Sequence, residues 1–382
     1  MSTNTGFKPK KSVALSGTSA GNTALCSVGK SGNDLHYRGY DILEFADKAE
    51  FEEIAYLIVH EKLPNKEELK TYKEKLRSFR DIPAGVKVAL EQLPKTCHPM
   101  DVMRTGCSVL GALDQEDEGH DKAAAQDIIN RLMGSFSSIL LYWYHFAYNN
   151  KRIDVVTDDD TVGGHFLHLL HGEKPKESWV KAMHVSLILY AEHEFNASTF
   201  AGRVCASTLS DIHSIITGAI GTLRGPLHGG ANEAAMAMIE NWTSADEAED
   251  KILGMLSRKD KIMGFGHAIY RESDPRNAVI KSWSEKLSKD VGDTVLYPVS
   301  ERVEAIMWRE KKLFCNADFF HASAYHFMGI PTKLFTPIFV CSRLTGWAAH
   351  AFEQRADNRI IRPSADYTGP ETSEWVAIED RA

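Results

Sequence analysis

Cysteine is sparse in this 382-residue chain: six residues, at 26, 97, 107, 205, 315 and 341, with no CxxC pair and no zinc-ligand spacing. Scattered thiols of this kind fit a reducing compartment and argue against a disulfide framework. No apolar run approaches the ~18 residues needed to cross a bilayer. Residues 1–12 are polar, with Lys8, Lys10 and Lys11 but no arginine and no apolar stretch, unlike a secretory signal or transit peptide. A cytoplasmic protein is expected. Charge of one sign is also limited: a net charge of -8 weighs against a general nucleic-acid binder, although local arginines can still hold small anions. Internal repeats, a P-loop and a GxGxxG fingerprint are missing, so the phosphate-cradling loops of common nucleotide folds are not indicated.

What is present is helical periodicity. With 43% hydrophobic residues the chain can bury a large core, and its length ordinarily splits into two domains. Residues 13–16 and 23–28 read as a short hairpin. Helical patterns follow at 51–61, after the Asn65/Glu68 capping box, and at 100–111, 123–148 and 162–171. The acidic run Asp158-Asp159-Asp160 reads as the solvated start of the 162–171 helix. Two more apolar helices are expected at 179–192 and 199–223. Beyond Glu240 the helices are shorter and more charged (247–257, 276–287, 303–312), and apolar periodicity resumes at 322–328 and 336–352. This shift predicts a mainly α fold. A large helical domain (1–225 and 326–382) would surround a smaller, mobile one (226–325), and a tail from Arg355 onward would wrap a surface.

Five polar constellations interrupt the helices. In Gly225-Pro226-Leu227-His228-Gly229-Gly230-Ala231-Asn232 the glycines allow a tight turn, and Asn232 is expected to cap the next helix. His228 would then sit ahead of a helix N-terminus, where the dipole favours a neutral imidazole able to polarise a carbonyl. Gly264-Phe265-Gly266-His267-Ala268-Ile269-Tyr270-Arg271 leads to a helix opened by Asp274-Pro275, with Arg271 and Arg276 as forked donors for anions. After Lys311 and Lys312, Asn316-Ala317-Asp318-Phe319-Phe320 places a carboxylate among apolar residues that raise its pKa if they desolvate it. Glu192-His193-Glu194-Phe195-Asn196-Ala197-Ser198-Thr199 is a polar turn between apolar helices. Phe339 and Arg343 share an apolar helix, where a guanidinium needs an anionic partner, and Arg355, Arg359 and Arg362 follow. Each segment alone is equally readable as a turn, a cap or a solvated face. His165, His168 and His171 form a one-helix stripe, but no carboxylate or cysteine at a matching spacing supports a metal site.

Together and in this order, the segments around His228, His267 and Asp318 resemble the three catalytic segments of the citrate synthase superfamily. Those around His193 and Arg343 resemble its oxaloacetate-binding segments. The resemblance extends from about Pro9 onward. The tracts at 9–17, 98–106, 164–175 and 359–365 are similar to the bacterial 2-methylcitrate synthase branch. Two positions depart: Cys315 stands where proline is expected, and Leu227 where close relatives often carry lysine.

The resemblance implies a two-domain helical homodimer that condenses propionyl-CoA, or alternatively acetyl-CoA, with oxaloacetate, without a permanent cofactor or metal. It implies Asp318 as base, His228 as donor to the thioester oxygen and His267 as donor to the ketone. His193, Arg276, Arg343 and the partner subunit's Arg362 would hold oxaloacetate, with Asn196 and Phe339 beside them. Arg271, Lys311 and Lys312 would meet coenzyme A. The alternative from another class is a helical binding protein that kept the fold and lost the chemistry.

Overall fold

The computed structural model describes residues 18–381. A three-stranded antiparallel meander comes first: β1 Cys26–Val28, β2 Leu35–Tyr37 and β3 Tyr40–Asp41. Cys26 lies opposite Tyr37 and Val28 opposite Leu35, so the strand expected within 23–28 pairs forward with β2. Its expected partner at 13–16 lies outside the described residues. Leu35 and Tyr37 are buried on the inner face, and the Tyr37 hydroxyl donates to the Ile188 carbonyl at 3.0 Å.

The rest is helical: α1 Ile42–Phe45, α2 Phe51–His60, α3 Lys66–Ser78, α4 Ala84–Glu91, α5 Pro99–Leu113, α6 Lys122–Asn149, α7 Val162–His171 and α8 Glu177–Tyr190. Then come α9 Ala197–Ser207, α10 Ile212–Leu223, α11 Ala231–Ile239, α12 Ala245–Ser257, α13 Pro275–Asp290, α14 Leu296–Lys311, α15 Ala317–Phe327 and α16 Phe335–Ala356. Helix α16 is buried almost from end to end, as a helix apolar on all sides must be. It packs against α2, α5, α6, α8, α9 and α10 and forms the axis of the core. Helices α12 and α14 pair with each other. Helices α11 and α13 pack on α15, which also touches α8, tying the 231–311 segment to the main body. Among the described residues no helix is long and apolar enough to cross a membrane.

Local signals explain most helix ends, and three expectations are corrected. The Asn65/Glu68 capping box forms as read. The expected single helix over 199–223 is two, because Leu209 adopts a left-handed φ of 61° and Asp211 caps α10 through the Ser214 N–H. The cap position of α11 is Gly230, not Asn232; Asn232 is buried inside the first turn, where its Oδ1 accepts from the Glu233 N–H at 2.7 Å. Helix α7 is capped by Thr161, and Asp159 turns inward to His168 Nδ1 at 2.6 Å, so the acidic run is only partly solvated. Beyond α16 the chain is extended apart from a 3-10 turn at Ile378–Asp380, and it exposes Ile360, Tyr367, Trp375 and Ile378.

Close helix packing is testable at Gly134. A Cβ there would lie 2.4 Å from the Leu76 carbonyl oxygen and 2.9 Å from Phe79 Cβ, prising α6 from the end of α3. Gly134→Ala is expected to cost about 1–3 kcal/mol, as overpacking in a dense core does. The cost would be read as a lower urea midpoint; an unchanged midpoint would show that α6 and α3 do not meet this closely.

Candidate active site

Five segments converge: the α8–α9 turn, the α10–α11 loop, the 264–274 loop, the entry to α15 and one face of α16. Asn196 caps α9, its Oδ1 accepting from the Thr199 N–H at 3.2 Å and lying 2.9 Å from the Ser198 hydroxyl. The amide expected beside the substrate is thus engaged in holding the turn. Ser198 connects it to His228: its backbone N–H donates to His228 Nε2 at 3.3 Å, and its hydroxyl lies 2.8 Å from the same nitrogen. A backbone N–H can only donate, so Nε2 is unprotonated and the neutral ring carries its hydrogen on Nδ1. Trp347 Nε1 donates to Ser198 Oγ at 3.1 Å and secures the arrangement from α16. Burial, and secondarily the charge of Arg343, push the His228 pKa down to about 4. Desolvation is thus the chief cause of its neutrality.

His267 is held by the same logic with the ring reversed. Its Nδ1 accepts from the N–H groups of Ile269 at 3.1 Å and Tyr270 at 3.3 Å, leaving the hydrogen on Nε2. Burial, then Arg276, lower its pKa to about 4. Gly264 has a φ of 86° and lies so close to Phe319 that a Cβ would approach to 2.9 Å, so this position needs glycine. The 264–266 loop is stitched to the entry of α15: Gly266 N–H to Phe314 O at 2.8 Å, Asn316 N–H to Gly264 O at 3.0 Å and Asn316 Nδ2 to Gly266 O at 3.1 Å. Cys315 lies inside this stitch as a buried residue bridged to Phe265. Hence the loop that carries His267 is tied directly to the helix entry that carries Asp318.

Asp318 follows its Asn316 cap, as expected. The Tyr190 hydroxyl donates to Asp318 Oδ1 at 2.6 Å, leaving Oδ2 as the oxygen not engaged by Tyr190. Burial raises the Asp318 pKa to about 6, with Tyr190 and Arg276 opposing the rise. Tyr190 stacks on Phe339 with centroids 4.1 Å apart, and Phe339 meets the His228 ring edge-on at 6.4 Å. Asp318, Tyr190, Phe339 and His228 thus form a continuous contact chain.

The anion-binding side is equally buried. Arg276 forks onto Asp274, Nε to Oδ1 at 2.9 Å and Nη2 to Oδ2 at 2.7 Å; burial disfavours its charge, but Asp274 more than compensates. Arg343 lies over Phe339, 4.8 Å from the ring centroid, and donates from Nε to the Tyr190 carbonyl at 2.7 Å. Its Nη1 is buried without a partner among the described residues, and burial holds its pKa below the usual guanidinium range. Such a group calls for an anion. His193 Nε2 lies 3.0 Å from the Tyr270 hydroxyl, and its ring meets His267 at 5.1 Å, joining the two halves of the site. Arg271, Lys311 and Lys312 are exposed, Leu227 is exposed beside His228, and Arg362 is exposed on the tail.

Tyr190, Ser198, Tyr270 and Trp347 were given no role from sequence. Ser198 and Tyr270 lie within the quoted motifs. Tyr190 precedes His193 by three residues, and Trp347 follows Arg343 by four, one helical turn along the same face of α16. The histidine stripe divides among four partners: His165 between Ser138 and Thr157, His168 on Asp159, and His171 on the Met328 carbonyl. A carboxylate does reach the stripe, with Asp158 and Asp159 both near His168, which corrects the sequence reading. Chemically, the main site pairs a poised carboxylate with two neutral N–H donors and two buried cations. That set can remove a proton next to a carbonyl and stabilise both the enol and an anionic partner.

The family model described as "Citrate synthase, C-terminal domain" matches residues 14–364. The chain is 62% identical to the 2-methylcitrate synthase of Shewanella oneidensis over 97% of its own length and 98% of that protein's. It is 44% identical to citrate synthase 2 of Bacillus subtilis, covering 91% and 94% of the two chains. Citrate synthase of Thermoplasma acidophilum, solved as a ternary complex with carboxymethyl coenzyme A and oxaloacetate, superposes with a TM-score of 0.88 at 33% identity. That match covers 96% of this chain and 98% of that one.

The raised pKa of Asp318 carries a stability signature. The folded state holds its proton more tightly than an unfolded chain, so stability is lost as pH rises through about 6. Asp318→Asn, neutral at every pH, is expected to be more stable than the parent at pH 8 by about 1–3 kcal/mol, the equivalent of roughly two pKa units. The gain should vanish near pH 4. Denaturant titrations at both pH values check this; an advantage independent of pH would mean that the buried charge is not its source.

Proposed function

This chain belongs to the citrate synthase family, and we propose that it condenses propionyl-CoA with oxaloacetate and water to give 2-methylcitrate and free CoA. The observation that carries the reaction type is the convergence of Asp318, tied through Oδ1 to Tyr190, with two histidines whose backbone bonds leave opposite ring nitrogens as donors. The acyl preference is supported by the 62% identity to a 2-methylcitrate synthase.

Each step uses groups of this chain. Asp318, through the oxygen that Tyr190 does not occupy, takes the α-proton of the thioester. His228 donates from Nδ1 to the thioester oxygen, so charge develops beside a preorganised donor. The enol carbon attacks the ketone carbon of oxaloacetate, while His267 donates from Nε2 to the ketone oxygen and then protonates it. Arg276, Arg343 and His193 hold the oxaloacetate carboxylates, joined by Arg362 of the partner subunit. Phe339 backs Arg343 and Tyr190, and Asn196 keeps Ser198 on His228. Water then cleaves the thioester and releases CoA, whose phosphates meet Arg271, Lys311 and Lys312.

Residues 226–325 act as a small domain closing on a large one formed by 1–225 and 326–382, which shields the thioester until the new carbon–carbon bond exists. The assembly is a cytoplasmic homodimer serving propionate breakdown. Acetyl-CoA is the second substrate. It lacks one methyl group, a difference that a pocket discriminates by only ~1–3 kcal/mol, so side activity as a citrate synthase is expected.

The deciding assay is CoA release with saturating oxaloacetate, read with a thiol reagent, for both acyl donors. A higher kcat/KM is expected with propionyl-CoA; the opposite order would assign a citrate synthase, and no release by folded protein would leave only a binding role. Asp318→Asn should lose at least a thousandfold in kcat while still binding oxaloacetate by calorimetry. Near-normal turnover would remove Asp318 as the base. In the parent enzyme kcat/KM should fall as pH drops through about 6, where Asp318 becomes protonated, while His228 and His267 stay neutral down to about 4.

A further inference from the structure

His321 lies on α15 one turn beyond Ala317, wholly buried. Its edge is turned away from the chemistry. Nδ1 lies 2.6 Å from the Ala317 carbonyl, which can only accept, so the neutral ring carries its hydrogen there. Nε2 meets no donor among the described residues. What the ring uses is its face: its centroid lies 4.1 Å from that of Tyr190, with the planes 30° apart. Phe339 stacks on Tyr190 at the same 4.1 Å and 25°. Two rings cannot share one face at that distance, so they cover opposite faces of the phenol. Tyr190 is thus clamped, and its only freedom, sliding or tilting its hydroxyl, is closed off where that hydroxyl donates to Asp318.

We infer that His321 is a positioning residue: with Phe339 it sandwiches Tyr190, and so fixes the phenol on Asp318 Oδ1 and orients Oδ2 toward the substrate α-carbon. This rests on the proposed role of Asp318 as base. The physical reason is that a carboxylate rotates freely unless one oxygen is tied, and the tie is no firmer than the ring that makes it. The aromatic contacts hold Tyr190 by dispersion and quadrupole terms that an aliphatic side chain supplies less directionally. The groups facing the Tyr190–Asp318 pair and His321 are Asp274 and Arg276 at the head of α13, Arg343 on α16 and Tyr325 on α15, all left in place by the test.

The test is a double-mutant cycle with pH profiles. His321→Leu fills the space without a ring; His321→Gln replaces it if the leucine variant does not fold. The substitution is expected to lower kcat about tenfold or more while the KM for oxaloacetate stays within twofold. It should also move the acid limb of kcat/KM upward, because the Tyr190 bond normally opposes the rise in the Asp318 pKa. His321→Phe, which keeps the stack, should return kcat to within about threefold of the parent. Tyr190→Phe should reproduce the limb shift, and adding His321→Leu to it should cost little more. Multiplicative losses, an unmoved acid limb, or a phenylalanine variant as poor as the leucine one would each overturn the inference. Asp318→Asn is measured alongside: if that variant keeps its turnover the base assignment itself falls, whereas its loss together with multiplicative effects overturns only the role of His321.

Discussion

Exclusion of water from a small group of charges is the constraint on which the rest of this structure depends. Arg276 and Arg343 are buried and Asp318 is half-buried beside them, and the two guanidinium groups are handled differently. Arg276 is neutralised by Asp274 through a two-pronged pair, so it is a fixed cation that costs little to keep. Arg343 has one backbone acceptor, one aromatic face and a bare Nη1. The first is paid for by the protein, and the second is left for an anion to complete. The same dry environment keeps both histidines neutral and makes the Asp318 carboxylate more basic while leaving it ionised above about pH 6, the states suited to drawing a proton from beside a carbonyl.

Desolvation alone does not aim a proton. Aim comes from one-sided hydrogen bonds, in which backbone N–H groups occupy Nε2 of His228 and Nδ1 of His267. The opposite nitrogen of each ring is left to carry the hydrogen. Tyr190 does the same for Asp318 by occupying one of its two oxygens. In all three cases a hydrogen-bonding neighbour decides which atom of the side chain is free. Helix α16 underlies much of this arrangement, because Phe339, Arg343 and Trp347 recur along one buried face and reach Tyr190, the anion site and Ser198 in turn.

The legible part of the site consisted of short segments whose residue types and glycines announce themselves, those around His193, His228, His267, Asp318 and Arg343. The helical character was equally legible, from apolar periodicity over 123–148 and 336–352. Errors fell where a local signal competed with packing. Asn232 is a good cap by type, but the chain buries it and caps α11 at Gly230. The 199–223 pattern is continuous in hydrophobicity, yet Leu209 turns left-handed and splits it. Asp159 belongs to an acidic run, yet it faces His168.

By itself the sequence determined the fold class, the order of the motifs and the residue types that meet in the site, because those depend on periodicity and on local backbone rules carried by glycine, proline and capping side chains. The family resemblance supplied their roles. Only the tertiary structure decided which nitrogen of each histidine is free, why both rings are neutral, and that Tyr190, Ser198, Trp347 and His321 surround the reacting groups. Those outcomes depend on burial and on hydrogen bonds between residues up to 153 positions apart, as for Arg343 and Tyr190, and no local pattern in the chain encodes such a meeting.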